Sequence, residues 1–181
     1  KFPGLKIVLE HISTEQAVQF VEASPETIAA TITPQHLLYN RNAIFENGLR
    51  PHYYCLPVLN RERHREAVLN AAVSGNPRFF LGTDSAPHSK NDKESSCGCA
   101  GVFSAYNAIE LYAEAFESKN ALAMLENFSS KFGADFYGLP KNTGTITLTK
   151  ITWQVPTTLK FASSEIVPMR AGENCYWKLE K

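Results

Sequence analysis

The sequence is short of the residues that usually announce a location or a chemistry. Only four of its 181 residues are cysteine: Cys55, Cys97, Cys99 and Cys175. They are too few and too unevenly spaced for a secreted disulfide framework, so reduced thiols and a cytoplasmic protein are expected. Neither sign of charge is in excess, with 18 Lys and Arg against 18 Asp and Glu. That balance gives no electrostatic reason to expect nucleic acid or an anionic membrane as partner. No apolar run approaches the ~20 residues that span a bilayer. HExxH and CxxC are missing, and the five histidines, His11, His36, His52, His64 and His88, stand far apart, with no HxH pair. The residues alone therefore do not gather a zinc ligand set. Internal repeats and low-complexity tracts are lacking too. The start, Lys1-Phe2-Pro3-Gly4, has no initiator Met and no signal-peptide pattern, and an internal cut of a longer chain is expected.

What is present suits one globular domain: 44% of the residues are hydrophobic and 20% charged. Leu5 to Glu10 reads as a buried strand ending at His11. Ser13-Thr14-Glu15-Gln16 has the capping-box form, with Ser13 at the cap. A helix is expected from Thr14 to Ala23, with Ala17, Val18, Phe20 and Val21 inward and Pro25 as its stop. Thr27 to Thr33 is the next strand, and a long connection runs from Gln35 to Pro57. Asn60 is read as the cap of a helix reaching Ser74, and Arg78 to Gly82 as the third strand. Ala108, Leu111, Tyr112, Ala115 and Phe116 mark an amphipathic helix. A second is expected over Ala121 to Phe132, capped by Asn120, with short β runs at Thr145–Thr149 and Tyr176–Leu179 beyond it.

Strands alternating with helices predict a parallel sheet covered by helices. Catalytic groups in such folds collect where strands exit into loops, at their C-terminal ends. His11 and Asp84 close two of the strands, and His88 follows Asp84 in a long polar loop. Imidazole and carboxylate suit zinc or proton transfer. Each residue also has a plainer reading, His11 as a satisfied structural histidine, Asp84 as a turn residue and His88 as a surface one. By the same plain standard Lys90 to Glu94 is a solvated charge run, the cysteines are small buried thiols, His36 and His52 have no role, and Phe128, Phe132, Phe136 and Tyr137 are core. A barrel needs eight strands. These three either form an open sheet with an exposed edge or belong to a barrel whose other five lie upstream.

Several segments closely resemble the C-terminal half of bacterial-type dihydroorotase, of the zinc amidohydrolase superfamily. They are Val8 to Ile12, Ala30 to Leu37, Arg50 to Pro57 (RPHYYCLP), Phe80 to His88 (FLGTDSAPH), Lys93 to Gly101 (KESSCGCAG) and Phe136 to Pro140. The resemblance implies that residues 1–181 are the C-terminal portion of one (β/α)8 TIM-type barrel domain, carrying strands six to eight and the terminal helices. It implies that His11 ligates zinc, that Asp84 ligates zinc and shuttles the proton, that His88 binds the substrate carboxylate, and that Leu56 and Ala100 hold the dihydropyrimidine ring through their backbones. The reaction implied is the reversible closure of N-carbamoyl-L-aspartate to L-dihydroorotate in pyrimidine biosynthesis, with two zinc ions per complete site, a homodimer and a small-molecule substrate. The family's HxH pair, bridging carboxylated lysine, further histidine ligand, and substrate-binding arginine and asparagine lie upstream of these residues. The isolated chain is therefore expected to be inactive. The rival readings are a hydantoinase- or allantoinase-like hydrolase, separated by the need for His88, and a non-catalytic scaffold, separated by zinc binding.

Overall fold

The computed structural model describes residues 2–180. Its centre is a parallel sheet of β1 (Ile7–Leu9), β2 (Ile28–Ile32) and β3 (Phe79–Leu81), paired in sequence order. Helix α1 (Glu15–Ala23) joins the first two strands; α2 (Pro34–Leu38) and α3 (Glu62–Val73) join the second to the third. The strands are shorter than the sequence pattern suggests, because Leu5 and Glu10 lie outside the ladder.

The two faces of the sheet are covered unequally. Leu9, Ala30, Ile32, Phe79 and Leu81 point to one side, into a large cluster with Val18 and Val21 of α1 and Val68 and Leu69 of α3. Helix α5 (Ala108–Glu117), which follows the short α4 (Lys90–Lys93), adds Tyr112, Ala115 and Phe116 to the same cluster. Burying a side chain such as Phe79 or Phe116 contributes ~1.5–3 kcal/mol each. Alternate residues of the strands point the other way. There Val8, Ala29 and Phe80 meet Phe132 and Phe136, with Tyr137 edge-on to Phe80.

Phe132 ends the segment expected to be one helix over Ala121 to Phe132, and Phe136 follows it. The stretch is instead a 3-10 turn at Leu122–Met124, a π turn at Asn127–Lys131 and then α6 (Phe132–Tyr137). The physical reason is that its apolar stripe serves two clusters. Phe128 packs on Tyr112 and Phe116, whereas Phe136 packs on Phe80 across the sheet. A π turn shifts the face of a helix part-way along it. Tyr137 is half exposed, not core.

Other expectations are corrected as well. Thr14, not Ser13, caps α1, its hydroxyl accepting from the Ala17 N–H, while the Ser13 hydroxyl accepts from Asn60 Nδ2. Asn60 thus ties two loops together and does not cap α3, which begins after Arg61. Phe20 of α1 is exposed. The long connection contains α2, which Thr33 caps with Pro34 at the first helical position. The tail forms an antiparallel pair, β4 (Leu148–Gln154) with β7 (Asn174–Leu179), and a hairpin of β5 (Leu159–Phe161) with β6 (Ser164–Ile166). No helix among the described residues is long and apolar enough to cross a membrane.

Candidate functional site

His11 lies two residues beyond β1 and Asp84 three beyond β3, so both sit at the C-terminal edge of the sheet. Both adopt the left-handed backbone region, with φ of 61° and 43°. Non-glycine residues populate that region sparsely, at turns as well as at functional sites, and Asp and His tolerate it better than most. The result is a facing pair: His11 Nε2 is 3.6 Å from Asp84 Oδ1, with both side chains partly exposed. Glu10 Oε2 is also 3.6 Å from His11 Nε2.

Thr31, on the strand between them, holds this corner together. Its hydroxyl oxygen accepts the His11 backbone N–H at 2.8 Å and lies 3.4 Å from His11 Nδ1. One ring nitrogen is thereby engaged and Nε2 is the one presented to Asp84. Gly82 is needed for the approach of β3, because a Cβ there would lie 2.5 Å from Thr31 Cβ. Thr31 was missed in the sequence, although its alternation places it on the same face as Phe80, above the sparsely covered side.

The second part of the site is a cradle of two loops, 54–57 and 97–101. The loop after Asp84 runs beside residues 101–105: Ser85 bridges Val102, and its hydroxyl accepts from Ser104 and Ala105 N–H. His88 Nε2–H donates to the Ala100 carbonyl at 3.1 Å. Gly101, at φ 154°, permits this closeness; a Cβ would lie 2.6 Å from Ala86 Cβ and 3.0 Å from His88 Cδ2. Gly101 N–H donates to the Tyr54 carbonyl, joining the two loops. Lys93 is buried, and its ammonium donates to the carbonyls of Tyr54, Cys99 and Gly101 at 2.7 to 2.9 Å. The charge run of 90–94 therefore is not wholly a solvated face. Leu56 stands exposed at the rim. Among the described residues, the N–H groups of Leu56 and Ala100 have no hydrogen-bond partner.

His36 supports the cradle from below. Its Nε2–H donates to the Pro57 carbonyl at 2.9 Å, and its Nδ1 accepts from the Thr33 hydroxyl at 2.7 Å. Burial lowers its pKa, which suits this neutral two-bond arrangement. His52 pairs with Glu94 at 3.1 Å, fastening the 51–53 turn to the end of α4. Both histidines that the sequence left without a role are thus structural ties. The four thiols are free. Cys55 and Cys175 are buried, and burial pushes each up to about 12. Cys97 is exposed, against expectation.

Among the described residues, no group of three or more His, Cys, Asp or Glu side chains is placed to hold a metal ion. His11 and Asp84 offer one nitrogen and one carboxylate, half of the four donors that zinc takes. The pair fits part of such a site, and further donors have to come from elsewhere. A surface depression of about 930 Å³, lined by Leu38, Asn42, Phe45, Glu62, Arg65 and Lys119, includes none of these residues.

Comparison with known proteins bears on this arrangement. Over 179 residues the chain is 64% identical to a dihydroorotase of Acaryochloris marina, covering 99% of the chain and 52% of the relative. This chain is homologous to the dihydroorotases. It spans about half the length of the curated relatives it matches. A crystal structure of Saccharomyces cerevisiae dihydroorotase in complex with 5-fluoroorotic acid superposes with a TM-score of 0.89 at 34% identity, over 99% of this chain and 52% of that one. The α/β fold resembles the C-terminal part of such structures. A D-hydantoinase from Thermus sp. gives 0.72 at 16% identity over 96% of this chain and 42% of that one, a likeness of fold alone. No family model matches the chain.

Proposed function

We propose that this chain is the C-terminal portion of a dihydroorotase and supplies part of its metal site together with its substrate cradle. The carrying observation is the His11–Asp84 pair, 3.6 Å apart at the C-terminal edge of parallel strands and held in strained backbone. The reaction is the reversible, dehydrating closure of N-carbamoyl-L-aspartate to L-dihydroorotate. His11 and Asp84 would hold zinc, which when bound polarises the ring carbonyl and makes hydroxide available near neutral pH. In the ring-opening direction Asp84 takes the proton of the attacking water and passes it to the departing ring nitrogen; in closure it takes the proton of the attacking nitrogen and passes it to the departing water. The unspent N–H groups of Leu56 and Ala100 hold the ring. His88, as an imidazolium, donates Nε2–H to the Ala100 carbonyl and would donate Nδ1–H to the substrate carboxylate.

In this reading residues 1–181 belong to one (β/α)8 barrel domain, with β1 to β3 as its last three strands. The parallel order supports it, as do Ile7 and Phe20, exposed at 45% and 52% on the first strand and helix. That is the side where a preceding strand and helix would pack. A cytoplasmic setting, supported by the free thiols, and a homodimer complete the proposal.

The test joins this chain to the N-terminal half of the Acaryochloris marina relative, giving a completed protein. Zinc-dependent dihydroorotate turnover that is lost in His11→Ala together with bound zinc supports the reading. Turnover and zinc content indifferent to His11→Ala sink it.

A further inference from the structure

A buried lysine ordinarily needs a carboxylate, since an unpaired charge away from water is costly. Lys93 has none. Its ammonium has three donors, and all three go to main-chain carbonyls: Tyr54 from one loop, Cys99 and Gly101 from the other. The tyrosine ring of Tyr54 lies 5.7 Å from the same nitrogen. Neither loop is a helix or a strand at these positions, so neither has a ladder of its own to satisfy those carbonyls.

The choice of carbonyls matters. A peptide unit is planar, and in its trans form the C=O and the following N–H point in opposite directions. The Cys99 carbonyl and the Ala100 N–H belong to one such plane. Drawing the Cys99 oxygen onto Lys93 turns the Ala100 N–H away from Lys93. His88 meanwhile occupies the Ala100 oxygen. Ala100 is thus left with one free polar group in a set direction. The Tyr54 oxygen, two residues before Leu56, is held by the same ammonium and by Gly101 N–H. One cation therefore sets both loops against each other.

We propose that Lys93 is a positioning residue for the substrate, an internal ammonium staple that aims the Ala100 N–H and fixes its placement relative to Leu56. This rests on the reading above that these two backbones hold the dihydropyrimidine ring. Lys93 touches neither substrate nor metal in this account. It acts by making the cradle rigid before the ring arrives, which saves the ordering cost at binding.

The distinguishing readout is the split between KM and kcat. A residue with only a stabilising role lowers the fraction of folded enzyme, which lowers apparent kcat and leaves KM alone. A residue that aims a substrate contact raises KM. In the completed protein, Lys93→Met is expected to raise the KM for dihydroorotate by ~10-fold or more, with kcat within about threefold and bound zinc unchanged. Lys93→Gln keeps two donors, gives a smaller rise, and carries the same test if Lys93→Met fails to fold. Unchanged KM in a folded Lys93 variant, or a fall in kcat alone, overturns the staple. Asp84→Asn in the same assay separates the two readings. If it abolishes turnover while Lys93 variants keep KM, only the staple fails. If it leaves turnover intact, the site reading fails and the staple falls with it.

Discussion

At the corner formed by His11 and Asp84, two potential ligands face each other across 3.6 Å, braced by one threonine hydroxyl and strained backbone. At the cradle around Ala100, by contrast, the surrounding carbonyls are spoken for by Lys93, His88 and Gly101, and His36 secures the neighbouring loop. The corner is preorganised but short of donors; the cradle is closed by bonds within this chain. Zinc takes four ligands, and on the proposed reading this stretch of sequence would supply two of them, His11 and Asp84. On that reading, binding geometry and metal chemistry are encoded in separable parts of the sequence. Substitutions should therefore separate them too.

The largest effect belongs to the corner. Asp84→Asn in the completed protein removes the proposed proton carrier and is expected to cut turnover by ~10²–10⁴-fold while leaving KM within a few-fold. Steady-state kinetics check it, and a large KM change would mean that corner and cradle are not separable. Next is Thr31→Val, which takes away the oxygen that fixes His11. Zinc affinity should fall ~10–100-fold, measured by competition with a chelator, because an unbraced ligand must be ordered on binding.

How much of this contrast could be read in the sequence follows the same division. The corner was legible. Short apolar runs ended by breakers located the strand ends, and His11 and Asp84 stand directly after them. The cradle was far less so. Lys93 sits in Lys-Asn-Asp-Lys-Glu, whose composition says solvent. Only the tertiary approach of residues 54 and 99–101 gives its ammonium somewhere to go. Leu56 and Ala100 carry no functional side-chain group; the role proposed for them comes from resemblance and not from residue type. Among the helices, α1 and α5 were legible because each has one apolar face meeting one cluster. The segment from Leu122 to Tyr137 was not, because Phe128 and Phe136 are claimed by opposite faces of the sheet.

The cradle can be damaged alone. Gly101→Ala adds a Cβ 2.6 Å from Ala86 Cβ at a φ of 154°. It should cost ~1–3 kcal/mol of stability by denaturant midpoint, with zinc content intact. The smallest effect is a titration. Burial lowers the Lys93 pKa to about 8. Of the groups around it, Cys55 is held up at about 12, Cys99 is raised by its hydrogen bond with Cys97, Asp92 is bonded by Ser89, and Glu94 pairs with His52. Above pH 8 the ammonium becomes an amine with two donors in place of three. KM for dihydroorotate should therefore rise by a few-fold between pH 7 and 9, and this rise should be missing in Lys93→Met.

The most direct test of the division is turnover of dihydroorotate by the purified 181-residue chain with added zinc, alone and after mixing with a separately made N-terminal half of a dihydroorotase. The account predicts silence alone and activity on mixing, because the cradle is present and the missing donors arrive with the partner segment. Robust turnover by the chain alone would contradict it.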